Sequence, residues 1–218
     1  MLPFAVGVAI SPMPIVAMVL MLITPKAKAN GFSFLLGWIA GIAIAGAIVL
    51  AVVGPADTTD EGAPADWTSW LKLILGLVLV ALAVKQWRSR PAPGEDPPMP
   101  KWMGALEGFT PVKSLGLAVL LSSINPKNLA LIIAGATAIA QTDISGGDQA
   151  IVWAIFTVIA SIGVAAPMVI YLAMGDKAAE TLDGIKTWMA HSNAAIMAVL
   201  FVIFGVKLIG EAITGFSA

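Results

Sequence analysis

Six apolar stretches set the frame in which this chain must fold: Leu2 to Ile23, Phe32 to Val53, Trp70 to Val84, Leu115 to Ala140, Ala150 to Met174 and Ala194 to Ile213. Crossing a bilayer takes roughly 17 to 25 predominantly apolar residues in a helix, a length that most of the six meet. The third is shorter, but Trp70 and Trp87 bracket it about 25 Å apart at 1.5 Å rise per residue, near the separation of two interfacial aromatic belts. With 59% hydrophobic and only 11% charged residues, 218 residues carry more apolar surface than a soluble core could bury. Backbone groups in hydrocarbon must be satisfied internally, so the expected fold is an all-α membrane protein with six transmembrane helices. The first run has neither a basic segment before it nor a small-residue cleavage site, and is expected to remain as a span.

Lysine and arginine orient the spans. Lys26 and Lys28 lie in the first connection, Lys85, Arg88, Arg90, Lys101 and Lys113 in the third, and Lys177 and Lys186 in the fifth. Those three are predicted to face the cytoplasm. The second connection carries Asp57, Asp60, Glu61 and Asp66, and the fourth carries Asp143 and Asp148. Both termini are therefore expected outside a multi-pass protein of the inner (cytoplasmic) membrane. Residues 88–114, with Pro91, Pro93, Pro97, Pro98 and Pro100, read as a semi-rigid cytoplasmic connector between repeats at 1–87 and 115–218. Within it Trp102, Met103, Leu106 and Phe109 fall on one helical stripe, which fits a short interfacial helix or an ordinary loop equally.

Two spans are interrupted near their middles, at Ser11-Pro12-Met13-Pro14 and at Asn125-Pro126-Lys127-Asn128. Aligning Pro12 with Pro126 lays the first three spans over the last three, and an odd span count inserts the halves in opposite senses. The expected architecture is two inverted three-helix repeats with the first and fourth helices broken at proline motifs. Repeats of this kind place a substrate site at the midplane, where broken helices meet. Ser11, Pro12, Pro14, Asn125, Pro126, Lys127 and Asn128 are the candidate substrate-binding residues. Lysine near the centre of a span costs roughly 2.5 to 3.5 kcal/mol to insert, and about a dozen residues to either end are too many for snorkelling. Local roles compete at the neighbours: Ser11 and Thr24 as partners for freed carbonyls, Asn125 and Asn128 as interhelical hydrogen-bonding groups. Lys207 and Glu211, one turn apart, read as a structural pair, and Gly37 and Gly41 as a close helix contact, inside the bundle in preference to a dimer.

Each half-helix that restarts at mid-membrane directs amide N–H groups and a positive dipole end inward, and Lys127 adds a full charge. No Asp, Glu or His occupies the central part of a span. The expected guest is an anionic group. No Ser-His-carboxylate set, paired acids or metal ligands can be assembled from buried positions, so an enzyme is not expected. With no cysteine and one histidine, neither a metal site nor a cofactor is expected, and no contiguous basic face speaks for nucleic acid. No ATP-binding loop occurs, so uphill movement would need an ion gradient or another protein.

The S-P-M-P and N-P-K-N motifs and the six spans resemble the lysine exporter (LysE) superfamily. The stretches AISPMPIVAMVLMLITPKAKANGFSFLLGW, LAVKQWRSRP, PKWMGALEGFTP, LLSSINPKNLAL and FGVKLIGEAI resemble more closely its actinobacterial GAP family, which includes sulfolipid-addressing proteins. The resemblance covers nearly the whole chain. It implies delivery of glycolipids or peptidoglycolipids to the cell envelope, with membrane lipids and an anionic or glycolipid substrate as partners. It leaves open a homodimer or contacts with envelope-lipid synthesis partners. The expected function is export of an amphiphile with an anionic head group by alternating access. Export of a small amino acid or ion, or a non-transporting scaffold for envelope-lipid synthesis, stand as alternatives.

Overall fold

Proline has no amide hydrogen and its ring clashes with the carbonyl four residues back, so a helix that carries it in mid-span either kinks or restarts. The computed structural model, which describes residues 1–53, 66–91 and 108–217, shows two restarts and one proline carried within a continuous helix. Helix α1 (Leu2–Ala9) ends before Ser11, and α2 (Pro12–Leu22) restarts at an angle of 43°. After α3 (Ala27–Val53) and α4 (Asp66–Arg88), α5 (Pro111–Val119) runs into a π-helical turn, Leu120–Ile124, and α6 (Pro126–Ala140) departs at 62°. Pro167, by contrast, is absorbed inside the unbroken α7 (Gly146–Met174). A 3₁₀ turn, Gly175–Lys177, leads into α8 (Ala178–Phe216).

All regular elements among the described residues are helical. Helices α3, α7 and α8 are each long and apolar enough to cross a membrane, and each bent pair adds one more if it counts as a single span, which gives three to five candidate crossings. The expected third span, Trp70 to Val84, falls in the 23 residues of α4, which is not among those candidate crossings, so the structure supports three to five crossings where the sequence predicts six. Large apolar side chains such as Leu36, Ile44, Val158 and Val169 point outward from these helices, as lipid-facing surfaces require. The fifth connection differs from expectation. Instead of a loop up to Ala194, α8 is continuous over 39 residues. No proline interrupts it, and Asp183 with Lys186 and Lys207 with Glu211 form ion pairs along its surface. At 1.5 Å per residue it is about 58 Å long, roughly twice the hydrocarbon thickness, so the expected sixth span is only its second half. The acidic second connection (54–65) and residues 92–107 of the connector, which hold all of its apolar stripe except Phe109, lie outside the described residues.

The chain forms two compact units, 1–57 with 98–190 and 58–97 with 191–218, so each unit draws on both halves of the sequence. In the first, α3 and α7 run antiparallel and are joined by reciprocal bonds: Trp38 Nε1 donates to the Ala160 carbonyl at 3.3 Å and Trp153 Nε1 to the Ala43 carbonyl at 3.2 Å. Helix α5 lies parallel to α3 along Gly37 and Gly41, where a Cβ would come within 2.4 Å of the Leu115 carbonyl and 2.1 Å of Ser122 Oγ. The small-residue pair is thus a contact inside the chain. Asn30 Nδ2 donates to the Phe109 carbonyl at 3.1 Å, so the start of α3 and the entry to α5 share one face of this unit. In the second unit, α4 and the end of α8 run antiparallel and cross at Gly76 and Gly205, where a Cβ on either would come within 3 Å of the other's carbonyl oxygen.

Candidate functional site

The two helix restarts are built differently. Ser11 stands at the N-cap of α2 in extended conformation, but its hydroxyl does not cap the helix. Asn125 stands at the N-cap of α6 and does, its Oδ1 accepting from the Lys127 amide at 3.1 Å. Ahead of it, the Asn125 amide bonds to the Leu120 carbonyl five residues back, at 3.0 Å. That wide turn leaves the Leu121 carbonyl without its usual helical donor, and Asn128 Nδ2 occupies it at 2.9 Å.

Freed from capping, Ser11 joins the two restarts. Lys127 Nζ donates to Ser11 Oγ at 2.7 Å, and Ser11 Oγ donates in turn to Asn128 Oδ1 at 2.8 Å. The N-terminal ends of α2 and α6 therefore meet inside one compact unit, 117 residues apart in sequence. Ser11 and Asn128 are buried, Asn125 and Lys127 half-buried. Pro12 and Pro14 pack in the interior, whereas Pro126 is exposed. Helix α7 closes on the first break so tightly that a Cβ at Gly163 would stand 1.9 Å from the Ala9 carbonyl oxygen. Thr24, as expected, returns its hydroxyl to a local carbonyl, that of Met21, at 2.7 Å.

An ammonium has three donors, and among the described residues Lys127 Nζ uses one, on Ser11. No carboxylate among them pairs with it. The positive ends of the α2 and α6 dipoles add to its charge. One expectation narrows here: a row of free helix-end amides is not available. Pro12, Pro14 and Pro126 have no N–H, and the Lys127 amide is already held by Asn125. The site presents a tethered ammonium rather than an amide cradle. Charge and spare hydrogen-bond donors are what such a junction can offer to a guest, and both suit an anionic group.

Sequence reasoning did not find Leu121 or Gly163 as builders of the junction. The glycine in α7 was visible, but nothing in its spacing shows which helix comes to lie against it.

A family model described as Sap, sulfolipid-1-addressing protein, matches residues 1–214. No curated protein and no solved structure matched the chain in these comparisons.

Proposed function

The chain belongs to the sulfolipid-1-addressing protein family, and from that premise we propose that it carries an amphiphile with an anionic head group, such as a glycolipid, across the cytoplasmic membrane by alternating access. The family and the apolar helices together make it a membrane protein of lipid handling. The single observation behind the transport reading is Lys127, an ammonium with donors to spare at the meeting of two broken helices. A permanent anion at that point would complete the hydrogen bonding and offset the charge, whereas a neutral or cationic cargo would do neither.

The moving parts in this reading are two inverted three-span repeats. The antiparallel α3 and α7 with their reciprocal tryptophan bonds support it, as do the antiparallel α4 and α8 and the parallel α3 and α5. The contribution of both sequence halves to each compact unit also fits interlocked repeats. The basic connections face the cytoplasm, and the membership of the lysine exporter superfamily implied by the sequence motifs belongs to the same proposal.

The decisive comparison is cells lacking the protein, complemented with the native chain or with Lys127→Ala, scored for envelope lipid retained on the cytoplasmic side. Loss of one charge-assisted contact should lower export by roughly tenfold or more at equal protein abundance. Unchanged export by a well-inserted Lys127→Ala would make the lysine structural. It would favour a scaffold for envelope-lipid synthesis instead.

A further inference from the structure

A second polar feature lies at the other end of α2. A cavity of about 490 Å³ opens between the ends of α2 and α7 and the starts of α3 and α8, with Leu22, Ile23, Leu172 and Leu182 among its walls. Two polar side chains line it, Lys28 and Tyr171, the only tyrosine in the chain. Neither makes a hydrogen bond or ion pair among the described residues. Ile23 and Leu172 are 56% and 49% exposed, so the cavity mouth is apolar while its charged group is a cation.

We infer that this cavity is a loading vestibule that receives the anionic head group of a membrane lipid, with the acyl chains lying over Ile23 and Leu172. The inference rests on the reading of the chain as a carrier of anionic amphiphiles. The chemistry selects the occupant: a free anion gains nothing from the apolar rim, and a zwitterionic head brings its own cation against Lys28. The helix dipoles do not decide the sign, because α2 and α7 end at the cavity while α3 and α8 begin there. Exposed Lys26 and Lys177 lie in the same two connections as Lys28 and Gly175, against Asp176 of the fifth connection and an exposed Glu180 at the start of α8, so cations outnumber carboxylates there by three to two. The volume falls in the range of small-ligand pockets and suits a head group with the first part of its chains.

Position makes the cavity a vestibule rather than an isolated lipid contact. The 11 residues of α2 run from the Ser11 junction to Leu22, about 16 Å at 1.5 Å per residue. Helix α7 passes the same junction at Gly163 and reaches the cavity at Tyr171. The same two helices therefore line the way from one site to the other.

The test is native mass spectrometry of the full chain in detergent, titrated with phosphatidylglycerol or phosphatidylcholine. It is run in the Lys127→Ala background so that the central site does not contribute. Lys28→Gln should weaken phosphatidylglycerol retention about tenfold and Tyr171→Phe less, with phosphatidylcholine unaffected by either. Lys186→Gln, which removes a charge already paired with Asp183, should change nothing. The vestibule is overturned if Lys28→Gln retains the lipid like its parent, or if Lys186→Gln loses it equally. Displacement of the lipid by inorganic phosphate would show a free-anion site instead. Because the readout is binding, a failed export prediction for Lys127 leaves this result standing, and the converse also holds.

Discussion

Ser11 carries two duties at once, acceptor to Lys127 and donor to Asn128, because its hydroxyl is not spent on the N-cap it occupies. Hydrogen bonds between membrane helices contribute about 0.6 kcal/mol on average and up to about 1.7. A double-mutant cycle of Ser11→Ala and Asn128→Ala, read by reversible unfolding in detergent, should therefore give a coupling near the lower figure. The effect on export should be larger than that on stability, because Ser11→Ala leaves the Lys127 ammonium untethered. Equal losses in the two assays would mark Ser11 as a packing residue only. Lys127→Arg keeps the charge but changes the donor geometry, so partial export is expected from it and none of consequence from Lys127→Ala.

At the scale of elements, the breaks are held from outside as much as by their own prolines. Gly163 on α7 leaves no room beside the Ala9 carbonyl, and the obstacle is backbone, which cannot turn aside. Gly163→Ala should lower stability by about 1 to 3 kcal/mol, seen as a reduced melting temperature and lower abundance. Gly184 on α8 has open space around it, so Gly184→Ala should stabilise the chain slightly, by up to about 1 kcal/mol of helix propensity. A Gly163→Ala variant that melts with the native protein would refute the close approach of α7 to the first break. Both proline motifs and their effect on the helices were legible in the sequence, since a missing N–H in mid-span has local consequences. The π-helical turn before Asn125 was not, because five-residue hydrogen bonding has no compositional mark in L-L-S-S-I.

For the whole molecule, the cavity is lined by both Lys28 and Gly175, which brings the first and fifth connections to one face, and the Asn30 bond to Phe109 adds the entry to α5. The lysine distribution predicts that this face is the cytoplasmic one. The absence of cysteine allows a direct check of which side this face occupies. Single cysteines replacing Lys26 and Lys177 should react with impermeant reagent only in inside-out vesicles, and one replacing Asp143 only in right-side-out vesicles. Labelling of Lys26→Cys and Asp143→Cys from the same side would reject the inverted arrangement of the halves.

Composition and period alone determined that the chain is helical and membrane-embedded, where its helices break and which residue sets an expensive charge in an apolar stretch, because each is a cost borne locally by the backbone or side chain. Which partners relieve those costs was decided in three dimensions. Ser11 meets Lys127 and Asn128 across more than a hundred residues, and α7 rather than another helix seals the first break. Lys28 and Tyr171 come to share a cavity only because α3 and α7 bring their ends together. Contacts of that kind depend on how small residues let particular helices approach, and hydropathy is blind to the choice of neighbour.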